Sequence, residues 1–244
     1  MMTGRKSSTG LLVSVRSAAE AWEALRGGAD IIDVKEPAIG SLGAASPDNL
    51  AAVAEVVQRC KTISAALGEL RDLDAESMMI PAAVRWVKFG LSGCGTDPDW
   101  QRNMLSVRRR IEKRSPAKVV AVAYSDWQRA ESPSPRVVAQ LAQEHRFEAF
   151  LIDTFVKDGT TLLDWIPSHV LRVLISELRS QGIRVALAGS IGRTMIEELL
   201  LLEPDWIAVR GAVCRGGRVG PVCSDKVLEL SRLVKGAFAC VEQS

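Results

Sequence analysis

The sequence predicts an α/β protein that folds as a single (β/α)8 barrel of the TIM type. Apolar runs of strand length alternate eight times with segments of helical pattern, which is typical of a parallel sheet. The length of 244 residues suits one closed barrel. An open, doubly wound sheet is the main alternative, but no G-x-G-x-x-G motif follows the first apolar run. We therefore expect one barrel domain over residues 11–244, after a flexible polar extension over residues 1–10.

Four strands and three helices are predicted in the first half of the chain. The apolar runs that predict the strands lie at 11–15, 30–35, 62–67 and 86–91. Ser17 and Glu20 have the spacing of a capping box, which opens a helix directly after the first strand. Ser46 followed by Pro47 has the pattern of an N-cap and first helical turn, and predicts the second helix. A stretch of small residues at 75–83 is expected to form the third helix.

The second half repeats the same alternation. Its apolar runs predict strands at 119–125, 149–154, 184–190 and 206–211. Amphipathic segments and their flanking Ser-Pro or glycine signals predict helices at 97–114, 134–144, 168–181, 194–202 and 224–235. Each predicted strand is thus followed by a helix, as a parallel barrel requires.

Composition excludes several classes of function. Lys plus Arg (31) nearly balances Asp plus Glu (29), so neither nucleic acid nor a membrane is an expected partner. Five cysteines without a C-x-x-C pair indicate free thiols in a reducing compartment, and only two histidines argue against a metal site or a His-dependent triad. Without a signal-peptide core or a membrane-spanning apolar run, the chain is expected to be soluble and cytoplasmic.

Charged residues interrupt apolar runs near the carboxyl ends of three predicted strands. Asp33 and Lys35 lie on the second strand, Lys88 on the fourth, and Asp153 on the sixth with Lys157 just beyond it. In a barrel these positions converge on one mouth, where active sites lie. Any one of them is as easily an end-of-strand ion pair. Three lysines and two carboxylates together instead predict a catalytic site.

Clustered lysines favour imine chemistry. A lysine becomes a nucleophile when apolar walls and a nearby ammonium lower its pKa, and it then attacks an aldehyde or ketone to form an iminium. Asp33 is placed to carry protons during formation and dehydration of the carbinolamine. This chemistry, of the class I aldolase type, requires neither a metal nor a bound cofactor.

The last two strands end in a pattern that suggests anion binding. Gly189 and Ser190 follow the seventh strand, and Arg210 and Gly211 follow the eighth, where barrels often bind phosphate through loop amides. Ser190 offers a hydroxyl, and Arg210 is expected to clamp the anion. Either pair alone is also explained by turn glycines and a rim arginine. The two arginines of the next loop, Arg215 and Arg218, are further candidates to close on the anion.

Several of these motifs also match a known family. The strings are Gly-Gly-Ala-Asp-Ile-Ile-Asp-Val-Lys-Glu-Pro at 27–37, Val-Lys-Phe-Gly-Leu at 87–91, Asp-Thr-Phe-Val-Lys-Asp-Gly at 153–159, Leu-Ala-Gly-Ser-Ile at 187–191 and Val-Arg-Gly-Ala-Val-Cys at 209–214. They resemble the (5-formylfuran-3-yl)methyl phosphate synthases of methanofuran biosynthesis, over nearly the whole chain. The loop at 215–224 departs from the family pattern.

The resemblance implies a specific reaction. Two molecules of glyceraldehyde 3-phosphate, a small phosphorylated aldehyde, would condense to 4-(hydroxymethyl)-2-furancarboxaldehyde phosphate with loss of phosphate and water. It also implies that Lys35 forms the Schiff base, that Lys88 accepts a proton, and that Asp33 and Lys157 take part. The product would serve a methanofuran-type one-carbon carrier.

Two alternatives remain open from the sequence. The first is another Schiff-base aldolase or a phosphosugar isomerase on the same barrel, since fold alone does not determine activity. The second is a non-catalytic barrel that binds a phosphorylated ligand, in which Lys35 and Lys88 are structural. Because barrels of this kind commonly associate, a homo-oligomer is expected.

Overall fold

The computed structural model describes residues 9–74 and 78–236. Eight strands form a closed barrel in which strands that are neighbours along the chain pair in parallel, and the last strand pairs with the first. The strands are β1 (Gly10–Val15), β2 (Ile31–Val34), β3 (Thr62–Glu69), β4 (Val84–Gly90), β5 (Lys118–Tyr124), β6 (Ala149–Asp153), β7 (Arg184–Leu187) and β8 (Trp206–Val209). The predicted (β/α)8 TIM barrel is confirmed.

The helices surround the barrel. Within the described residues they are α1 (Ala18–Arg26), α2 (Pro47–Val57), α3 (Trp100–Arg114), α4 (Pro135–Glu144), α5 (Leu162–Trp165), α6 (Ser168–Ser180), α7 (Arg193–Leu200) and α8 (Ser224–Gly236). Ser17 and Ser46 are N-caps as predicted, because Ser17 Oγ accepts from Glu20 N at 3.3 Å and Ser46 Oγ from Asn49 N at 3.2 Å. The second half of the predicted capping box differs, because the Glu20 side chain accepts from Arg16 N at 2.9 Å. In the described part of the chain, no helix has the length and apolar character needed to cross a membrane.

The helix predicted over residues 75–83 is wrong where it is described. Residues 78–83 are irregular, and residues 75–77 lie outside the described residues. After a 3-10 turn at Leu70–Asp72, the chain reaches β4 through a turn in which Val84 N donates to Pro81 O at 2.9 Å. Pro81 explains the difference, because proline lacks a helical N–H donor and disfavours helical geometry in the residue before it.

Alternation along β2 shows how the strands position the site. Ile32 and Val34 point outward, are fully buried, and belong to the core shared with the helices. Ile31 points into the barrel, as Asp33 does, and both are buried. Because both faces of a barrel strand are buried, a carboxylate on the inner face is costly unless it is paired.

Six of the predicted strands end earlier than their apolar runs suggested, and in three of them a predicted site residue falls outside the strand. β2 ends at Val34, β7 at Leu187 and β8 at Val209, so Lys35, Gly189 and Arg210 lie in the loops that follow. Loops at this end are free to adopt irregular backbone, which allows them to surround a ligand. Of the N-terminal extension predicted over residues 1–10, residues 1–8 lie outside the described residues, and Gly10 begins β1.

Candidate active site

A cavity of about 320 Å³ opens at the carboxyl ends of the strands. Ten of the eleven residues proposed from the sequence line it, and Arg215 does not. The ten are Asp33, Lys35, Lys88, Asp153, Lys157, Gly189, Ser190, Arg210, Gly211 and Arg218. Asp33, Lys88 and Asp153 lie on β2, β4 and β6. Lys35 and Lys157 lie in the loops after β2 and β6, and the loops after β7 and β8 form the opposite wall. The fold therefore brings together residues that are far apart in sequence, such as Asp33 and Gly211, which are separated by 178 positions.

Asp33 and Lys88 form the deepest polar contact in the cavity. Lys88 Nζ donates to Asp33 Oδ1 at 2.5 Å, and both side chains are almost completely buried. Asp33 also accepts a hydrogen bond from Ser14 at 2.9 Å and a short one from Ser64. Each carboxylate oxygen is thus satisfied, which offsets part of the desolvation cost of burying this ion pair. The pair spans β2 and β4, and two further strands, β1 and β3, hold it through Ser14 and Ser64.

A second lysine–carboxylate pair lies nearer the mouth. Lys157 Nζ donates to Asp153 at 2.6 Å and to the Thr154 hydroxyl at 2.8 Å. The Thr154 backbone N–H also donates to Asp153 at 2.8 Å. Burial alone raises the pKa of Asp153, but the ammonium groups of Lys157 and Lys35 and these hydrogen bonds outweigh it, so the pKa is lowered overall. Asp153 is therefore an ionised carboxylate at neutral pH.

Lys35 lies between the two pairs and is held differently. Its Nζ donates to the backbone carbonyl of Ser41 at 3.0 Å, and within the described part of the chain it forms no ion pair. Burial lowers its pKa from 10.5 to about 8, and Asp153 and Asp33 oppose that effect only in part. A buried lysine with a pKa near 8 is neutral in a useful fraction of molecules at neutral pH. Of the site lysines, Lys35 is therefore the one whose surroundings best suit nucleophilic attack.

The loops after β7 and β8 line the cavity with several glycines, which leave the backbone accessible. Gly189 (φ 109°) and Ser190 (φ 52°) both have left-handed backbone conformations, and Gly192 precedes the first turn of α7. A Cβ at Gly189 would lie 3.1 Å from the Thr154 side chain, so glycine allows the loop to pack against the end of β6. Gly189, Ser190 and Gly192 line the cavity, and Gly192 is the N-cap of α7, so a helix N-terminus lies beside the cavity, which suits an anion.

Arg210 has a different role from the predicted anion clamp. Its five N–H donors are engaged by protein acceptors: Glu20 Oε2 at 2.8 Å and Oε1 at 3.3 Å, Ser14 O at 2.9 Å, Arg218 O at 2.7 Å and Gly220 O at 3.3 Å. A guanidinium has five N–H donors, so none is left for an anion without breaking one of these bonds. Arg210 therefore ties the loop after β8 to α1 and to the end of β1.

Two site residues were missed by the sequence interpretation, and a third, Arg218, was only a secondary candidate there. Ser14 and Ser64, which donate to Asp33, face inward on β1 and β3, so strand alternation is the signal that could have located them. Arg218 lines the cavity and donates from Nη2 to Gly40 O at 2.7 Å, which supplies the cationic side chain expected from Arg210. Arg215 instead is exposed and interacts with Cys223.

Comparison with known proteins gives a consistent family. Residues 11–231 match the model of a family described as 4-HFC-P synthase. The chain is 36% identical over 232 residues to a (5-formylfuran-3-yl)methyl phosphate synthase of Methanothermobacter thermautotrophicus, covering 92% of this chain and 98% of that protein. The protein of the same name from Archaeoglobus fulgidus is 37% identical, with 93% and 99% covered. That from Methanocaldococcus jannaschii is 36% identical, with 92% and 99% covered.

Solved structures agree on the fold. Phosphoribosyl anthranilate isomerase of Thermotoga maritima superposes with a TM-score of 0.64 at 15% identity, covering 93% of this chain and 99% of that one. Thiamine phosphate pyrophosphorylase of Pyrococcus furiosus gives a TM-score of 0.62 at 16% identity, covering 96% and 98%. At such low identity, these similarities support the barrel architecture alone.

Proposed function

The chain belongs to the 4-HFC-P synthase family, and we propose that it condenses two molecules of glyceraldehyde 3-phosphate to (5-formylfuran-3-yl)methyl phosphate. The atoms balance when two C3H7O6P give C6H7O6P, one H3PO4 and two H2O. The proposed product is a precursor of a methanofuran-type carrier. The observation that carries the proposal is the buried Lys35, which lies between two lysine–carboxylate pairs, forms no ion pair with any described residue and has its pKa lowered to about 8.

Lys35 is the proposed nucleophile. Its neutral Nζ attacks a triose phosphate carbonyl carbon, the carbonyl oxygen takes up a proton, and the carbinolamine loses water to give an iminium. The iminium withdraws electrons from the neighbouring carbon and makes its C–H bond acidic. A base that removes this proton creates the carbon nucleophile for the second molecule of substrate.

The Asp33–Lys88 pair is proposed to move that proton. The two groups share a 2.5 Å contact, so a proton taken up by one can be passed to the other with little movement. Ser14 and Ser64 fix the carboxylate and keep the pair oriented towards the cavity. Such preorganisation avoids the cost of reorienting groups during the reaction.

Lys157 is proposed to assist loss of the phosphate. It lies nearer the mouth than Lys88, with 15% of its side chain exposed, and Asp153 and Thr154 direct its ammonium. A positive charge at this position stabilises the negative charge that develops on a leaving phosphate. The phosphate that is retained is proposed to bind the backbone of Gly189 and Gly211, the Ser190 hydroxyl and Arg218, which line the opposite wall.

The test combines adduct mapping with product analysis. The protein is incubated with glyceraldehyde 3-phosphate and borohydride, and peptide mass mapping locates the reduced adduct. We expect it on Lys35, with a furan aldehyde as the product when borohydride is omitted. Lys35→Ala should abolish both while the protein stays folded, and Lys118→Ala, at the start of β5, should retain both.

The other outcomes separate the alternatives. An adduct on Lys35 without furan product indicates another Schiff-base aldolase. An adduct on Lys88 or Lys157 contradicts the assigned roles. Absence of any adduct from folded, phosphate-binding protein favours an isomerase without a covalent intermediate or a non-catalytic barrel.

A further inference from the structure

The loop after β2 holds two functional side chains through adjacent carbonyl groups. Lys35 Nζ donates to Ser41 O at 3.0 Å, and Arg218 Nη2 donates to Gly40 O at 2.7 Å. The first side chain is the proposed nucleophile, and the second lies on the proposed phosphate wall. One peptide segment thus connects the two halves of the cavity.

The rest of this loop is firmly anchored. Glu36 N donates to Gly43 O at 2.9 Å, and Gly68 N at the end of β3 donates to Leu42 O at 2.9 Å. The Leu42 side chain is fully buried inside the barrel mouth. Gly40 itself has φ 140°, a conformation that other residues rarely adopt. The Gly40 and Ser41 carbonyl groups are therefore adjacent in a loop whose ends are held by backbone hydrogen bonds.

Arg218 is fixed at its backbone and has free donors at its tip. Its carbonyl oxygen accepts from Arg210 Nε at 2.7 Å, and Arg210 is in turn paired with the buried Glu20. Among the described residues, the only acceptor of the Arg218 side chain is Gly40 O, so the guanidinium has further N–H groups to offer. A guanidinium can bind a phosphate through two parallel hydrogen bonds while another N–H keeps a carbonyl.

We propose that Arg218 couples substrate phosphate to imine formation, because it bridges the phosphate to Gly40 and so fixes the Ser41 carbonyl that orients Lys35. Arg218 is then a positioning residue for the nucleophile as well as a phosphate ligand. The binding energy of the phosphate is used to hold Lys35 in its reactive position, which makes the enzyme selective for phosphorylated aldehydes. This inference rests on the proposed function of Lys35.

The test separates the phosphate from the aldehyde. Unphosphorylated glyceraldehyde is supplied with and without phosphite dianion, and the rate of cyanoborohydride trapping on Lys35 is followed by peptide mass mapping. Two quantities are compared. The first is the activation ratio, which is the trapping rate at saturating phosphite divided by the rate without phosphite. The second is the phosphite concentration that gives half of the full effect. We expect a ratio of tenfold or more in the unmodified protein.

The variants distinguish bridging from simple anion attraction. Arg218→Ala should reduce the ratio to about one. Arg218→Lys keeps a cation but loses the planar fork, so even at saturating phosphite its ratio should stay at least about fivefold below that of the unmodified protein. Millimolar guanidinium should restore part of the ratio in Arg218→Ala. Arg215→Ala is the matched control in the same loop, and its ratio should equal that of the unmodified protein.

The outcomes also separate this inference from the proposed function. If Arg218→Lys or Arg218→Ala reaches the full ratio at saturating phosphite, Arg218 is no more than an anion binder and the coupling is wrong. If phosphite does not accelerate trapping although glyceraldehyde 3-phosphate labels Lys35, the inference fails and the function stands. If glyceraldehyde 3-phosphate does not label Lys35 at all, the proposed function itself fails.

Discussion

Lys35 and Lys88 lie in one cavity and are buried to a similar degree, yet they are held in opposite ways. Lys88 contacts a carboxylate at 2.5 Å, whereas Lys35 contacts a neutral carbonyl at 3.0 Å and has its pKa lowered to about 8. Burial disfavours the charged form of an amine, and a direct ion pair offsets that effect. One barrel mouth thus holds one lysine in a direct ion pair and another, the proposed nucleophile, against a neutral carbonyl.

A third lysine of the cavity, Lys157, lies closer to solvent than Lys88. Its pair with Asp153 repeats the arrangement at Asp33, but its ammonium is more exposed than that of Lys88. Exposure screens charge, so this pair contributes less to stability and remains freer to interact with substrate. Lys35 therefore lies between a rigid inner pair and an outer pair near the entrance.

The largest expected effect of replacing a lysine is the loss of catalytic activity in a Lys35 variant. Lys35→Met removes the proposed nucleophile and should lower furan synthesis by several orders of magnitude, because the covalent route is lost. Steady-state product formation, measured beside Lys118→Met, tests this. A Lys35→Met protein with a tenth or more of normal turnover would contradict the assigned role.

The second expected difference is in the free energy of unfolding, where substitution of Lys88 should have a larger effect than substitution of Lys35. Lys88→Met leaves Asp33 buried without its ion pair and should cost about 3–5 kcal/mol in the free energy of unfolding. Burial of Lys35 already costs roughly 3 kcal/mol at neutral pH, from a pKa of about 8 against an ordinary 10.5. Lys35→Met should therefore be as stable as the unmodified protein or more stable.

Urea unfolding at several pH values checks both parts. Because the folded pKa of Lys35 lies below the unfolded one, the penalty is full below pH 8 and disappears as pH rises past 10.5. Any stability advantage of Lys35→Met should shrink over that window.

Asp33→Asn combined with Lys88→Met should recover part of the loss in free energy of unfolding caused by Lys88→Met alone. A Lys88→Met protein of unchanged stability would show that Asp33 is not held by the ion pair.

The third difference is in pH dependence. Imine trapping with cyanoborohydride should rise about tenfold per pH unit below pH 8 and level off above it, as Lys35 loses its proton. Asp153 raises the pKa of Lys35 and Lys157 lowers it, so the inflection should move down in Asp153→Asn and up in Lys157→Met. Shifts in the same direction in both variants would show that the charges do not act on Lys35 as described.

The smallest effect concerns the hydroxyl groups that support each pair. Ser64→Ala removes a buried donor to Asp33 and should lower the free energy of unfolding by about 1–3 kcal/mol. Thr154→Val removes an acceptor from the more exposed Lys157, and its cost should be ~1 kcal/mol or less. Thermal unfolding of the two variants in parallel measures the difference. Equal losses in the free energy of unfolding would indicate that the two pairs are equally shielded from water.

The sequence located the lysines and carboxylates because polar residues stand out in runs that must be apolar. Asp33, Lys88 and Asp153 occupy inward positions of buried strands, and the structure places all three in one cavity. The same reasoning failed for Arg210, because a rim position says nothing about partners. Glu20, which lies 190 residues earlier in the chain, takes up two of its donors. It also failed over residues 78–83, where small residues suggested a helix but Pro81 favours an irregular turn.

The sequence by itself determined the barrel and the strands that carry Asp33, Lys88 and Asp153. Those features follow from periodicity and chain connectivity, which are local properties. Tertiary structure alone decided which lysine is paired and which is not. It also decided that Arg218, and not Arg210, offers donors to the cavity. Charge state and donor availability depend on burial and on contacts between residues far apart in the chain, and no local pattern encodes either.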